Sequence, residues 1–169
     1  MPDLIGLTAL GSLTFQYCNK LRALPRGIGK LGALRELTLC GLDELQEIPD
    51  LIGLTSLGSL TIAECGKLRA LPRGIGELGA LRELKLCRLD ELQEMPDLIG
   101  LTALGSLTIG TCGKLRALPR GIGKLGELKQ LTLVWLTELQ EMPDLIGLTA
   151  LGSLTIEYCF KLRALPSGP

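Results

Sequence analysis

Apolar residues recur along the chain at steps of three, three, two, three, three and three positions. The first two runs consist of Leu7, Leu10, Leu13, Phe15, Cys18, Leu21 and Leu24, and of Leu31, Leu34, Leu37, Leu39, Leu42, Leu45 and Ile48. The single step of two predicts an extended segment, because alternate side chains of a strand share one face. The steps of three cannot continue that strand, so each run predicts one short strand followed by a return path.

The runs are parts of a longer repeat. The string PDLIGLT begins at Pro2, Pro49, Pro96 and Pro143, a strict period of 47 residues that divides into a short coil of 23 and a long coil of 24. One coil cannot bury its own leucines, but coils stacked about 4.8 Å apart cover one another. We therefore expect residues 1–169 to form one domain of seven coils. Coils 1 to 7 cover 2–24, 25–48, 49–71, 72–95, 96–118, 119–142 and 143–165, and an eighth starts at 166–169.

This spacing resembles the leucine-rich-repeat pattern LxxLxxLxLxx(C/N)xxLxxLP over the whole chain. It is most similar to the repeats of intracellular plant disease-resistance receptors, although the nucleotide-binding and signalling domains of a complete receptor are not in this sequence. The resemblance implies an α/β fold, a right-handed horseshoe solenoid with a concave parallel sheet and convex turns or 3₁₀ segments. The strands are expected near Leu13–Phe15, Leu37–Leu39, Leu60–Ile62, Leu84–Leu86, Leu107–Ile109, Leu131–Leu133 and Leu154–Ile156.

Charge and composition narrow the function. Eighteen basic residues balance eighteen acidic ones, which argues against nucleic acid or an anionic membrane as partner. Histidine is absent, and with it the commonest general base and zinc ligand, so we expect no catalytic residues, no metal and no cofactor. The chain shows no signal-peptide pattern and no membrane-length apolar run, which favours a soluble, cytoplasmic protein.

Two motifs have structural interpretations. The glycines Gly27, Gly29 and Gly32 spell GxGxxG, but they follow a proline turn and recur in later coils, which indicates return-path geometry rather than dinucleotide binding.

Four cysteines take the place of a core leucine and are expected to form a buried ladder, two layers apart and beyond disulfide reach. They are Cys18, Cys65, Cys112 and Cys159, whereas Cys40 and Cys87 are expected on the concave face.

Charged residues alternate in sign between successive coils. After the prolines come Asp3, Arg26, Asp50, Arg73, Asp97, Arg120 and Asp144. Likewise, Lys20, Lys67 and Lys114 are expected to lie on Glu44, Glu91 and Glu138 of the following coil. We interpret both sets as ladders of the scaffold, each exposed pair contributing about 0.2–1 kcal/mol.

Differences between the coils are concentrated in three columns at and just after the strands. One column reads Gln16, Cys40, Ala63, Cys87, Gly110, Val134 and Glu157, and the next, which we call the strand-exit column, reads Tyr17, Gly41, Glu64, Arg88, Thr111, Trp135 and Tyr158. The third column, on the strands themselves, is threonine in every coil except coil 4, where it is Lys85. Drift would also scatter changes over the convex turns, so this pattern favours a recognition surface on the concave face.

The leading functional hypothesis is a scaffold that binds a protein or peptide on its concave face. Trp, Tyr and Arg are the residue types most enriched in interface hot spots. The predicted binding residues are Tyr17, Glu64, Lys85, Arg88, Thr111, Trp135, Glu157 and Tyr158. The alternative is that Trp135 and Tyr158 only stack on each other and shield the end of the sheet.

Neither end of the array shows a polar capping segment, so both end layers are expected to expose leucines. Either the sequence is a piece of a longer array or the ends bury one another. We expect self-association through the C-terminal end, with Phe160 and Leu162 at the contact. The alternative function is a structural or self-assembling repeat scaffold, natural or engineered by consensus, with no dedicated ligand.

Overall fold

The computed structural model describes residues 3–165, in which seven strands form a single parallel sheet ordered as in the chain. Each strand extends one residue beyond the predicted core at both ends, so the prediction of one strand per coil is confirmed. The strands are β1 Ser12–Gln16, β2 Glu36–Cys40, β3 Ser59–Ala63, β4 Glu83–Cys87, β5 Ser106–Gly110, β6 Gln130–Val134 and β7 Ser153–Glu157.

The strands pair without any shift of register. Leu13 lies opposite Leu37, Phe15 opposite Leu39, and the same correspondence continues to β7. Because the side-chain period of a strand is two, this register keeps the two core residues of every strand on the same face. The fold is the predicted leucine-rich-repeat solenoid with its sheet on the concave side.

Helical structure in the described residues is limited to three 3₁₀ segments in the long coils, at Ile28–Lys30, Ile75–Glu77 and Arg120–Lys124. The GxGxxG motif lies on these segments. A side chain at Gly29 would overlap the backbone carbonyl of Asp50, and Gly27 adopts a left-handed φ of 83°. The glycines therefore permit close packing of successive return paths, in agreement with the structural interpretation of the motif.

The leucines of coils 2 to 6 form one continuous core, whereas the two end coils are only partly covered. Leu13 and Phe15 in coil 1 are half-buried, and Leu7 is exposed. At the other end, Leu154 and Leu165 of coil 7 are exposed. The expectation that end layers expose leucines is confirmed, because burial in a solenoid comes from the neighbouring coil.

The lysine–glutamate ladder runs in the opposite direction from the one predicted. Lys67 donates to Glu44 of the preceding coil at 2.7 Å rather than to Glu91 of the following one. The same direction holds for Lys114 with Glu91 and Lys161 with Glu138. The Arg163 N–H also donates to the Gln140 carbonyl of the preceding coil at 3.1 Å. The lysine–glutamate pairs thus join coils 3, 5 and 7 each to the long coil before it.

The aspartates after the prolines do not form the expected ladder with arginine. No Asp–Arg ion pair joins these positions within residues 3–165. Each Asp instead accepts a hydrogen bond at 2.9 Å from the backbone N–H two residues later, as in Asp50 with Ile52 and Asp97 with Ile99. These carboxylates stabilise local turns, which a charge pattern alone does not distinguish from an ion pair.

The predicted cysteine ladder is buried only in the middle of the array. Cys65 and Cys112 are fully buried, but Cys18 is exposed and Cys159 is half-buried. The two outer thiols belong to end coils that lack a covering layer. Burial raises the pKa of the Cys112 thiol to about 11, because the thiolate cannot be solvated there.

Candidate functional site

The strand-exit column is a line of residues in the left-handed backbone conformation. Six non-glycine residues of this column have φ between 51° and 57°. They are Tyr17, Glu64, Arg88, Thr111, Trp135 and Tyr158, and the seventh member, Gly41, has a φ of 66°. For an L-residue other than glycine this conformation costs roughly 1–2 kcal/mol.

Backbone hydrogen bonds fix this conformation from coil to coil. The Tyr17 N–H donates to the Cys40 carbonyl at 2.8 Å, and the Trp135 N–H donates to the Glu157 carbonyl at 3.0 Å. The column is thus part of the sheet's hydrogen-bond ladder although its residues lie beyond the strands. Sequence reasoning placed these residues at the strand exit but missed the left-handed turn, for which Gly41 in the same column was the available signal.

Three aromatic side chains meet at the C-terminal end of this column, and we call them the aromatic cluster. The rings of Trp135 and Tyr158 stack with centroids 4.3 Å apart and an angle of 11° between their planes. Phe160 lies edge-on to both, at 5.8 Å from Trp135 and 6.3 Å from Tyr158. The rings remain 43% exposed for Trp135, 49% for Tyr158 and 71% for Phe160. The stack predicted as the alternative therefore exists, and it leaves much of the aromatic surface open to solvent.

The two surfaces predicted separately from the sequence are contiguous in the structure. Phe160 was assigned to the C-terminal contact, yet it packs beside the two aromatic residues assigned to the concave surface. Leu162, assigned to the same contact, is half-buried and packs against the core. Glu157 is exposed at the end of β7, next to the aromatic cluster.

Charged residues occupy the middle of the surface. Arg88 and Glu64 lie in adjacent coils with Nη1 and Oε2 3.9 Å apart, and Lys85 is exposed on β4. Burial raises the pKa of the neighbouring Cys87 thiol, and the positive charges of Lys85 and Arg88 act in the opposite direction. The charged groups of Lys85 and Arg88 therefore act on the Cys87 thiol, at the strand-exit end of β4.

Tyr17, another predicted residue, lies far from the aromatic cluster. It is exposed in coil 1, and its ring covers Gly41, where an added side chain would overlap it. Six coil spacings of about 4.8 Å place it roughly 29 Å from the aromatic cluster. The structure therefore brings Trp135, Tyr158 and Glu157 together and leaves Tyr17 at the opposite end of the same column.

Metal-ligating clusters and membrane-length helices are both missing from the part of the chain that the structure describes. Residues 3–165 contain no group of three or more Cys, Asp or Glu side chains placed to hold a metal ion. No helix within the same span has the length and apolarity needed to cross a membrane. The chemistry available on the concave side is aromatic stacking, charge pairing and hydrogen bonding.

The repeat, the register and the single concave sheet define a leucine-rich-repeat solenoid. Among solved structures, the chain is similar to the leucine-rich-repeat domain of the type III effector XopL, with a TM-score of 0.65 and 25% sequence identity. The likeness covers 93% of this chain and 72% of that one. Searches of protein-family models and of curated proteins found no match.

Proposed function

We propose that this protein is a binding scaffold that recognises a protein or peptide on its concave face. The observation that carries the proposal is the aromatic cluster, three large rings that pack together and yet remain widely exposed on the strand-exit side. Exposed clusters that combine Trp and Tyr are typical of interface hot spots. The C-terminal half of the face, from Arg88 to Phe160, is assigned most of the affinity.

Two further features support a binding role. The strand-exit column keeps large side chains at positions where the backbone would favour glycine or asparagine, so these side chains are retained at a conformational cost. The similarity to a leucine-rich-repeat domain supports a scaffold of the interaction type. The plant-receptor subtype and the cytoplasmic location stay predictions from the sequence.

The test is a selection for polypeptides that bind the immobilised protein, from a displayed library of random peptides. Affinities of the recovered peptides are then measured for the wild type and for the double variant Trp135→Ala/Tyr158→Ala. We expect the double variant to weaken binding at least about thirtyfold, since hot-spot truncations cost about 2 kcal/mol or more. The matched control is Arg73→Ala/Arg120→Ala on the return paths. Recovered peptides that bind both double variants equally would remove the concave face from the proposed function.

A second candidate is self-association through the C-terminal end, which the exposure of Leu154 and Leu165 favours. The outer edge of β7 has no neighbouring strand among the described residues, and such edges pair readily with another chain. Light scattering over a hundredfold range of concentration should show a mass that rises with concentration for the wild type and a constant mass for Leu154→Glu. A constant monomer mass for both would contradict this second candidate.

A further inference from the structure

A notch interrupts the strand-exit column at coil 5. Thr111 is the small side chain there, and it stands between the long side chains of Arg88 in coil 4 and Trp135 in coil 6. Coils 4 and 6 are two layers apart, about 9.6 Å. A planar ring between the two walls needs one van der Waals contact of about 3.5–4.0 Å on each side, or roughly 7–8 Å in all. The notch is therefore wide enough for one such ring.

The aromatic stack indicates one wall of the notch, and Gly110 indicates its floor. Tyr158 in coil 7 covers one face of the Trp135 indole, so the opposite face is directed along the solenoid axis towards coil 5. Beneath, Gly110 is buried, and an added Cβ there would lie 3.6 Å from the Cys87 Sγ and 3.8 Å from the Val134 carbonyl oxygen. The notch therefore has an aromatic wall, and its floor is the buried Gly110 beside a thiol and a carbonyl oxygen.

The opposite wall is basic. Arg88 is exposed, and its contact with Glu64 at 3.9 Å lies on the far side, in coil 3. Lys85 replaces the threonine that β1, β2, β3, β5, β6 and β7 carry at this place. Both charges lower the pKa of the Cys87 thiol against the larger effect of burial, so both act at the floor of the notch. A negatively charged group fits best on this side.

We propose that the notch above Thr111 receives one aromatic side chain of the partner polypeptide, stacked on the free face of Trp135, with a carboxylate of the adjoining partner residue against Lys85 and Arg88. This inference rests on the proposed function and names the chemistry of its partner. It requires a small side chain at position 111, because a larger one would close the notch.

The variant that fills the notch is Thr111→Tyr. Tyr17 and Tyr158 occupy the same column with the same backbone conformation, so the chain already accommodates tyrosine there. The matched control is Gln16→Tyr, which adds the same ring at an exposed strand end in coil 1. Trp135 is the single tryptophan of the chain, so fluorotryptophan labelling gives one fluorine NMR signal that reports on the notch.

The probes are the blocked dipeptides N-acetyl-Phe-Asp-amide, N-acetyl-Leu-Asp-amide and N-acetyl-Phe-Lys-amide. We expect the Phe-Asp probe to bind about threefold to tenfold more tightly than the Leu-Asp probe, because an aromatic pair adds to area burial. The Phe-Lys probe should bind more weakly than Phe-Asp. Thr111→Tyr should weaken Phe-Asp binding at least about tenfold, and Gln16→Tyr should leave it unchanged.

Several results would overturn the inference. These are no binding of the Phe-Asp probe, equal affinity for the phenylalanine and leucine probes, or unchanged affinity in Thr111→Tyr. A fluorine shift that depends on protein concentration without any probe, and that Thr111→Tyr abolishes but Leu154→Glu does not, would mean that a second copy fills the notch. Peptides from the selection that require Trp135 and Tyr158 but bind Thr111→Tyr normally would overturn the notch alone and leave the proposed function standing.

Discussion

Coils 5 and 7 have nearly the same sequence and very different environments. They differ at three positions, where Gly110, Thr111 and Gly113 in coil 5 correspond to Glu157, Tyr158 and Phe160 in coil 7. Leu107 in coil 5 is fully buried, whereas its equivalent Leu154 is 44% exposed, and Leu118 is 6% exposed against 69% for Leu165. The neighbouring coil, not the local sequence, therefore decides the burial of each leucine.

The three differing positions have a common location. All of them lie at or just after the end of the strand, and two of the coil 7 residues belong to the aromatic cluster. The residues that the two coils share form the strand, the turns and the core, and those that differ lie at the strand-exit side. The comparison separates the two roles within a single chain, and the following variants test it.

The largest expected effect is on stability at the two equivalent leucines. Leu107→Ala should lower the free energy of unfolding by about 2–5 kcal/mol, because it leaves a cavity between two covering coils. Leu154→Ala should cost less than half as much, since its side chain is already partly hydrated. Urea denaturation at low protein concentration measures both. Equal losses would indicate that another chain covers coil 7.

Thiol reactivity should distinguish the same two coils. The raised pKa of Cys112, about 11 against an ordinary 9.0, lowers its thiolate fraction at neutral pH about a hundredfold, and burial blocks access further. In single-cysteine variants, a maleimide at pH 7.5 should therefore modify Cys159 rapidly and Cys112 only after unfolding in denaturant. Comparable rates in the folded state would mean that coil 5 opens as readily as coil 7.

The aromatic stack should contribute a smaller amount to stability. Tyr158→Thr gives coil 7 the residue of coil 5 and removes the ring that stacks on Trp135. We expect a loss of about 0.5–1.5 kcal/mol and a shift of the single tryptophan's fluorescence towards that of solvent-exposed indole. The control is Tyr17→Thr, which removes a tyrosine of the same column far from Trp135 and should leave the fluorescence unchanged. If Tyr158→Thr changed neither the stability nor the fluorescence, the stack would not be formed in solution.

Thr111→Asn tests the strain at the same place in coil 5. Asparagine tolerates the left-handed conformation better than a β-branched residue, so the free energy of unfolding should rise by roughly 0.5–1 kcal/mol. Thermal unfolding followed by circular dichroism measures the change, and Thr108→Asn on the strand should be destabilising instead. A stabilising effect at both positions would not support strain at position 111.

The smallest effect is expected from the ion pair between Lys114 and Glu91. The hydrogen bond and charge of Lys114 lower the pKa of the Glu91 carboxyl below its value in the unfolded chain. The pair therefore stabilises the fold above the unfolded carboxyl pKa of about 4.3, and this contribution is lost as the pH falls through the lower folded value. Lys114→Met should flatten the loss of stability below pH 5, and 1 M salt should reduce the difference from wild type. The control is Lys129→Met, which removes the same charge outside the ion pairs and should leave the loss of stability below pH 5 unchanged.

Most of the fold was predictable from the sequence, and less of the candidate site was. The step of two in each apolar run located all seven strands, and the 47-residue period assigned them to coils. The concave placement of Lys85 and Glu157 followed from strand alternation. The contact of Phe160 with Trp135 and Tyr158 could not be predicted in this way. Phe160 lies outside the strand, and the direction of its side chain depends on the turn after the left-handed residue. The notch was also missed, since it requires knowing which face of Trp135 is covered.

What the sequence determined by itself is therefore the coil, with its strand, its turns and its inward leucines, because these depend on spacing within 23 or 24 residues. What only the tertiary structure decided is every relation between coils. Each glutamate of the ladder has a lysine on both sides, and only the stacking selects the following coil's Lys67 for Glu44 over Lys20. The exposure of Leu154 and the single open face of Trp135 have the same origin. In a solenoid each residue's environment is supplied by the layers above and below it, and those contacts are not written in any one repeat.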